Sequence, residues 1–218
     1  MTKDKQLKKT QEYVRKTMHG CASCHDFWHV YRVRKIALNI GKEEEADLYS
    51  VELAALLHDI ADHKFYNGDM SVGPKKARAF LESIDVDEKD VDHMCDIIAG
   101  LSFKGSGTES PMKTLEGKVV QDADRLDAIG ATGIARTFAY GGYKGREIYN
   151  PNTKPEMHTN FEEYSKSEGS TINHFHEKLL LLKDRMNTNT GKEMAEKRHA
   201  FLEEYLHQFY LEQKENEL

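Results

Sequence analysis

The run Val51-Glu52-Leu53-Ala54-Ala55-Leu56-Leu57 ends abruptly on His58-Asp59. It is the most apolar stretch of the chain and reads as a buried helix over residues 45–60. A histidine and an aspartate at the end of such a helix are costly to leave unpaired. A divalent cation offsets that cost, because neutral imidazole and carboxylate are both metal ligands. A helix C-terminus where the histidine offsets the dipole is the simpler alternative for the pair alone.

Helical periodicity continues on both sides. Residues 4–18 predict a polar first helix with Leu7, Tyr13 and Val14 inward, and 26–41 a second with Val30, Val33, Ala37 and Ile40 on one stripe, stopped by Gly41. Residues 74–84 follow with Pro74 at the first position, then 87–101, then 115–129. A short helix is expected over 130–140, an irregular stretch over 141–169, a further apolar-periodic segment over 171–187 and a long last helix over 192–213. No strand pattern emerges, so the expected fold class is all-α. One domain over 1–218 is expected, with a core over about 20–150 and the helices of 171–213 packed on it.

Two further residues suit a site at His58-Asp59. His29 stands four residues before Val33 and borders the inward stripe of its helix, and Asp124 lies among Asp122, Arg125 and Asp127 on an otherwise apolar segment. Adjacent helical residues point about 100° apart, so His58 and Asp59 can share an ion only near a helix end or kink. Loop signals after Ala61 fit that. Asp26 can either cap the second helix or accept the ring N–H of His29, and both readings stay open. His63 is the fallback for a second metal.

The order H…HD…D, with H-x-x-R-V over 29–33, E-L-A-A-L-L-H-D over 52–59 and D-A-D-R-L-D-A-I-G-A over 122–131, resembles the HD superfamily of metal-dependent phosphohydrolases. D-I-A-D-H-K-F, G-G-Y-K-G-R-E-I-Y and H-F-H-E-K-L-L further resemble its bacterial single-domain branch. The resemblance implies an all-α HD bundle in which His29, His58, Asp59 and Asp124 hold one divalent metal. Mixed imidazole and carboxylate ligation suits Mn²⁺ first, with Fe²⁺, Co²⁺, Ni²⁺ or Mg²⁺ as alternatives. It also implies a nucleotide pyrophosphohydrolase that cuts a (deoxy)nucleoside triphosphate to the monophosphate and pyrophosphate. A nucleotidase, a cyclic-nucleotide phosphodiesterase with the same metal, or a non-catalytic nucleotide sensor are the alternatives.

A phosphoryl substrate requires positive charge around it. Arg32, Lys64, Arg125 and Arg146 are the expected substrate-binding cations, with Arg136 and Lys178 behind them. For Arg125 the competing reading is a salt bridge within its own helix to Asp122 or Asp127. Asp62, one turn after His58, or His63 is expected to manage the proton. Phe27, Trp28, Phe65, Tyr140 and Tyr143 are candidates for stacking on a base, against the more common role of aromatic residues in the core. The glycine-bearing Lys104–Thr108 lacks the phosphate-loop pattern and reads as a surface loop.

The net charge of −6 lacks the basic footprint of a polymer-binding protein, so a small nucleotide is the expected partner rather than nucleic acid. No run approaches the ~20 apolar residues that span a bilayer, and no apolar segment follows the charged N-terminus, so neither membrane nor secretion is expected. Three cysteines, Cys21, Cys24 and Cys95, fit a reducing cytoplasm. Cys21-Ala22-Ser23-Cys24-His25 matches a haem-attachment pattern and half of a zinc site, but two thiols near a helix start are the preferred reading. A homodimer is the assembly allowed for.

Overall fold

The computed structural model describes residues 1–18, 26–61, 66, 68–101, 112–157 and 169–215. Among these every regular element is helical. The elements are α1 (Lys3–Thr17), α2 (Phe27–Glu43), α3 (Leu48–Leu57), α4 (Val72–Ser83), α5 (Glu88–Gly100), α6 (Leu115–Asp127), α7 (Gly130–Tyr143), α8 (Thr171–Glu177) and α9 (Asn189–Glu215). Two single 3₁₀ turns, Leu179–Leu181 and Lys183–Arg185, follow α8. The all-α expectation holds. No described helix is long and apolar enough to cross a membrane.

The chain packs as two compact units, and the boundary runs inside α6 between Asp124 and Arg125. In the first unit α3 is the central element, with α1, α2 and α5 packed against it. That arrangement explains its composition: a helix enclosed on several sides is apolar on all of them. From Tyr49 to Leu57 only Glu52 escapes full burial. Each of Leu53, Leu56 and Leu57 stabilises the unit by about 1.5–3 kcal/mol through removal of its side chain from water. At Gly41 α2 and α3 approach closely, since a Cβ there would meet Leu48 Cδ2 at 3.2 Å and Val51 Cγ2 at 3.4 Å.

α1 is fastened by polar groups that its hydropathy pattern hides. Its buried face is Gln6, Thr10 and Val14, whereas the expected inward Leu7 and Tyr13 are only half-buried. The Gln6 amide donates to the carbonyls of Ile84 (3.3 Å) and Asp85 (2.8 Å) and accepts from the Tyr49 hydroxyl (2.7 Å). A buried amide is tolerated there because its partners replace water. α4 begins at Val72 rather than Pro74. Its first turn has no intrahelical use for the missing proline N–H, so Pro74 fits two positions in as well as at the start.

In the second unit α7 packs against α8 and α9. The apolar segment 171–187 is not one helix. Ile172, Phe175, Leu179, Leu182 and Met186 are all buried as their spacing predicts, but after Glu177 the backbone tightens into 3₁₀ turns. Spacing of three to four residues reports which side is buried, and both helix types satisfy it over so short a length. α9 starts three residues earlier than expected, because the Thr188 hydroxyl caps it by accepting the Gly191 N–H at 3.0 Å.

Two aspartates start the helices that carry the candidate ligands. Asp26 caps α2 by accepting the His29 backbone N–H at 2.9 Å, which supports its capping reading. Asp47 caps α3 by accepting both the amide (3.1 Å) and the hydroxyl (2.6 Å) of Ser50. Burial alone would raise the Asp47 pKa, but the Ser50 hydrogen bonds, the nearby Lys3 charge and the Tyr49 amide together hold the carboxyl below its ordinary value. Asp47→Ala is expected to cost about 1 kcal/mol in chemical denaturation. A depressed folded pKa means that this contribution is complete above the ordinary carboxylate range. It is lost as pH falls through the folded value, so the wild-type advantage over Asp47→Ala should vanish in denaturation curves taken at acid pH.

Candidate metal centre

Four side chains from three elements of the first unit converge. His29 sits in the first turn of α2, His58 and Asp59 follow the last residue of α3, and Asp124 lies in the last turn of α6. The end of α3 at Leu57 meets the condition set by the sequence. His58 keeps helical angles as the cap (φ −55°, ψ −33°), and the chain then turns, with the Ile60 N–H bonded to the Leu57 carbonyl at 3.2 Å.

The two imidazole Nε2 atoms stand 3.2 Å apart with their rings edge to face. His29 Nε2 lies 3.7 Å from Asp59 Oδ2 and 3.5 Å from Asp124 Oδ1, and His58 Nε2 lies 3.8 Å from the same Asp124 oxygen. One ligand atom from each of His29, His58 and Asp59 falls within 4.8 Å of the others. Neighbouring ligand atoms around a first-row divalent ion, each about 2.0–2.2 Å from it, are about 3.0–3.5 Å apart. The observed spacings match that edge length or exceed it slightly, so these residues fit a single small cation.

The second ring nitrogen of His58 settles which nitrogen faces the cluster. Nδ1 is 2.9 Å from the Ala55 carbonyl oxygen, which can only accept, so Nδ1–H donates and the lone pair of the neutral ring lies on Nε2. An open turn of backbone thus aims the candidate ligand atom. The arrangement is asymmetric toward solvent: the His29 side chain is 1% exposed and that of Asp124 36%. Two carboxylates and two imidazoles gathered at a wall of this kind form a donor set for a hard or borderline divalent ion, not for the all-sulfur or all-oxygen alternatives.

The other expected site residues are scattered in role. Arg32 is half-buried on α2, three residues beyond His29. Arg125, in the second unit, donates a hydrogen bond to the Arg185 carbonyl, a contact that holds the fold. Arg146 is half-buried just past α7, its backbone N–H bonded to Gly141. Arg136 pairs with the buried Asp127, donating to its carboxylate at 3.0 Å. Trp28 and Tyr143 are exposed; Phe27, Trp28 and Tyr31 cluster on one another, and Tyr140 lies beside Tyr143. Asp62, His63, Lys64, Phe65, Cys21, Cys24, His25 and the loop 104–108 lie outside the described residues. What the sequence reading missed was the Arg34–Glu52 ion pair, whose signal was the lone charge inside the apolar run.

The hydrogen bond to Ala55 has a direct spectroscopic consequence. At a pH where His58 is neutral, long-range ¹H–¹⁵N correlation spectra should show it as the Nδ1–H tautomer. An Nε2–H pattern would contradict the geometry.

An HD-domain family model matches residues 27–129, the stretch from α2 to just past α6 that carries all four residues. The protein YpgQ of Bacillus subtilis is 39% identical over 206 residues, covering 94% of this chain and 92% of its own. A crystal structure of YpgQ in complex with ADP superposes with a TM-score of 0.77 at 37% identity, over 97% of each chain. A Lactobacillus plantarum structure gives a TM-score of 0.86 at 37% identity over 98% of this chain and 99% of the other. An HD-superfamily hydrolase from Bacillus thuringiensis gives 0.75 at 42% identity, again over 98% and 99%. With likeness of this extent running through the convergent H…HD…D residues, the chain belongs to the HD-domain family, and its fold is that of the HD-superfamily hydrolases.

Proposed function

We propose that the protein is a metal-dependent nucleotide pyrophosphohydrolase, converting a (deoxy)nucleoside triphosphate and water to the monophosphate and pyrophosphate. The HD-superfamily hydrolase fold supports the coarser reading of a metal-dependent phosphohydrolase. The observation that carries the site is the meeting of two Nε2 atoms at 3.2 Å with the carboxylates of Asp59 and Asp124 around them. The nucleotide rests on YpgQ, similar over nearly its whole length, which has been crystallised with ADP. Cleavage between the α- and β-phosphates rests on the resemblance of the bacterial single-domain branch.

His29, His58, Asp59 and Asp124 are the proposed ligands, and Mn²⁺ the proposed ion. Bound there, a divalent cation supplies Lewis acidity to phosphoryl oxygens and lowers the pKa of a nearby water. The residues have separable duties. Ala55 holds the His58 ring in the donor orientation. The burial of His29 keeps bulk water from its side, and the more exposed Asp124 marks the side open to substrate. Asp62 or His63, which follow the site directly in the chain, is proposed to take up the proton. Arg32, Lys64, Arg125 and Arg146 are the cations proposed to meet phosphate. The proposal keeps residues 1–218 as one HD-type domain.

Hydrolysis in ¹⁸O-water tests the scissile bond. With Mn²⁺ and dATP or another triphosphate, the label is expected in the monophosphate and absent from pyrophosphate. Labelled orthophosphate would make the protein a phosphatase instead, and absence of any product across a nucleotide panel would leave a sensor. His58→Ala should lose bound Mn²⁺ and turnover together. Asp62→Asn and His63→Ala, each with metal content checked, assign the proton to whichever lowers kcat by about 10²–10⁴-fold while metal is retained.

A further inference from the structure

We infer that the ion pair between Arg34 and Glu52 is a positioning device for the metal centre, setting the register of α2 against α3. This inference rests on the reading of His29 and His58 as ligands of one ion. The pair is made by the one residue between Tyr49 and Leu57 that is not fully buried. Arg34 Nε donates to Glu52 Oε1 at 2.7 Å, and Nη2 donates to the same oxygen. Both side chains are more than three-quarters buried. A charge-assisted contact in such surroundings is stronger than at an open surface, and breaking it strands a charge.

Its place in the antiparallel pair of helices is what gives it a role. Three of the contacts between the two packed helices mark levels along the pair. Nearest the connecting turn, Gly41 lies against Leu48 and Val51. Next comes the Arg34–Glu52 bridge. At the far end His29 faces His58. Arg34 is five positions on from His29 and His58 six positions on from Glu52, so the bridge stands about 8 Å along the helix axes from the backbone of the two histidines. The Gly41 contact is apolar and non-directional. The hydrogen bonds of the bridge add a directional constraint, because guanidinium geometry fixes both distance and direction. A slide of one residue's rise, about 1.5 Å, would spoil the 3.2 Å approach of the two Nε2 atoms. Neither residue touches the cluster, so both act as positioning residues and not as ligands.

Calorimetric titration with Mn²⁺ alone, well below the Tm of each variant and with folding checked by circular dichroism, separates positioning from mere stability. Folded Glu52→Ala and Arg34→Met should bind Mn²⁺ about tenfold more weakly than wild type. Glu52→Gln, which still accepts from the guanidinium, should recover most of the affinity, and Arg34→Lys, a point charge without the fork, should not. Asp92→Ala removes an ion pair with Arg78 that also joins two helices, α5 and α4, but is exposed and away from the cluster, and it should leave Mn²⁺ affinity unchanged. If either alanine or methionine variant fails to fold, the Gln and Lys variants carry the comparison. Wild-type affinity in the folded variants of both positions overturns the inference. A wild-type protein that binds no Mn²⁺ overturns the metal reading beneath it, which is a different result.

Discussion

Helix α3 stops at Leu57, and the candidate site depends on that stop. Continued as a helix, the chain would send His58 and Asp59 about 100° apart. One of them would then enter the apolar packing made by α1, α2 and α5. The turn at residues 58–61 instead leaves the Ala55 carbonyl available to the His58 ring and brings His58 Nε2 to face His29. The apolar run before it has the complementary task. Because it is enclosed by three helices, its end is held in place by packing, and the polar pair inherits a fixed position from residues that carry no chemistry.

The sequence made the site legible because the ligand types are costly in that context. A histidine and an aspartate closing an apolar helix require an explanation, and His29 and Asp124 on inward-facing segments complete it. The same logic located the helices, since burial leaves a periodic trace. It failed where burial and conformation part company: residues 171–187 bury the expected side chains through a short helix and two 3₁₀ turns. It failed also for Gln6 and Thr10, which are inward and polar. Their partners, two carbonyls and a tyrosine for Gln6 and the carbonyl of the preceding turn for Thr10, are visible only in the fold. Arg125 shows the same limit in a charged residue. Its position beside Asp124 suggests a ligand for phosphate, and its contact with the Arg185 carbonyl gives it structural employment that no spacing rule would disclose.

Both candidate histidines come from helix ends and not from helix middles. His29 is in the first turn of α2, its own amide held by the Asp26 cap, and His58 is the residue at which α3 finishes. Helix ends fray before their centres do. At the opposite end, α2 and α3 are joined covalently through residues 44–47. A cation gripped by both rings would therefore close the free end of a helical hairpin whose other end the chain already closes. In that capacity it acts as a reversible cross-link between residues 29 and 58, removing loop freedom from the opened state as a covalent bridge would. Unlike a covalent bridge, its strength is set from outside, growing with the logarithm of the free ion concentration. The rigidity of this hairpin would then be a property of the surroundings as much as of the chain.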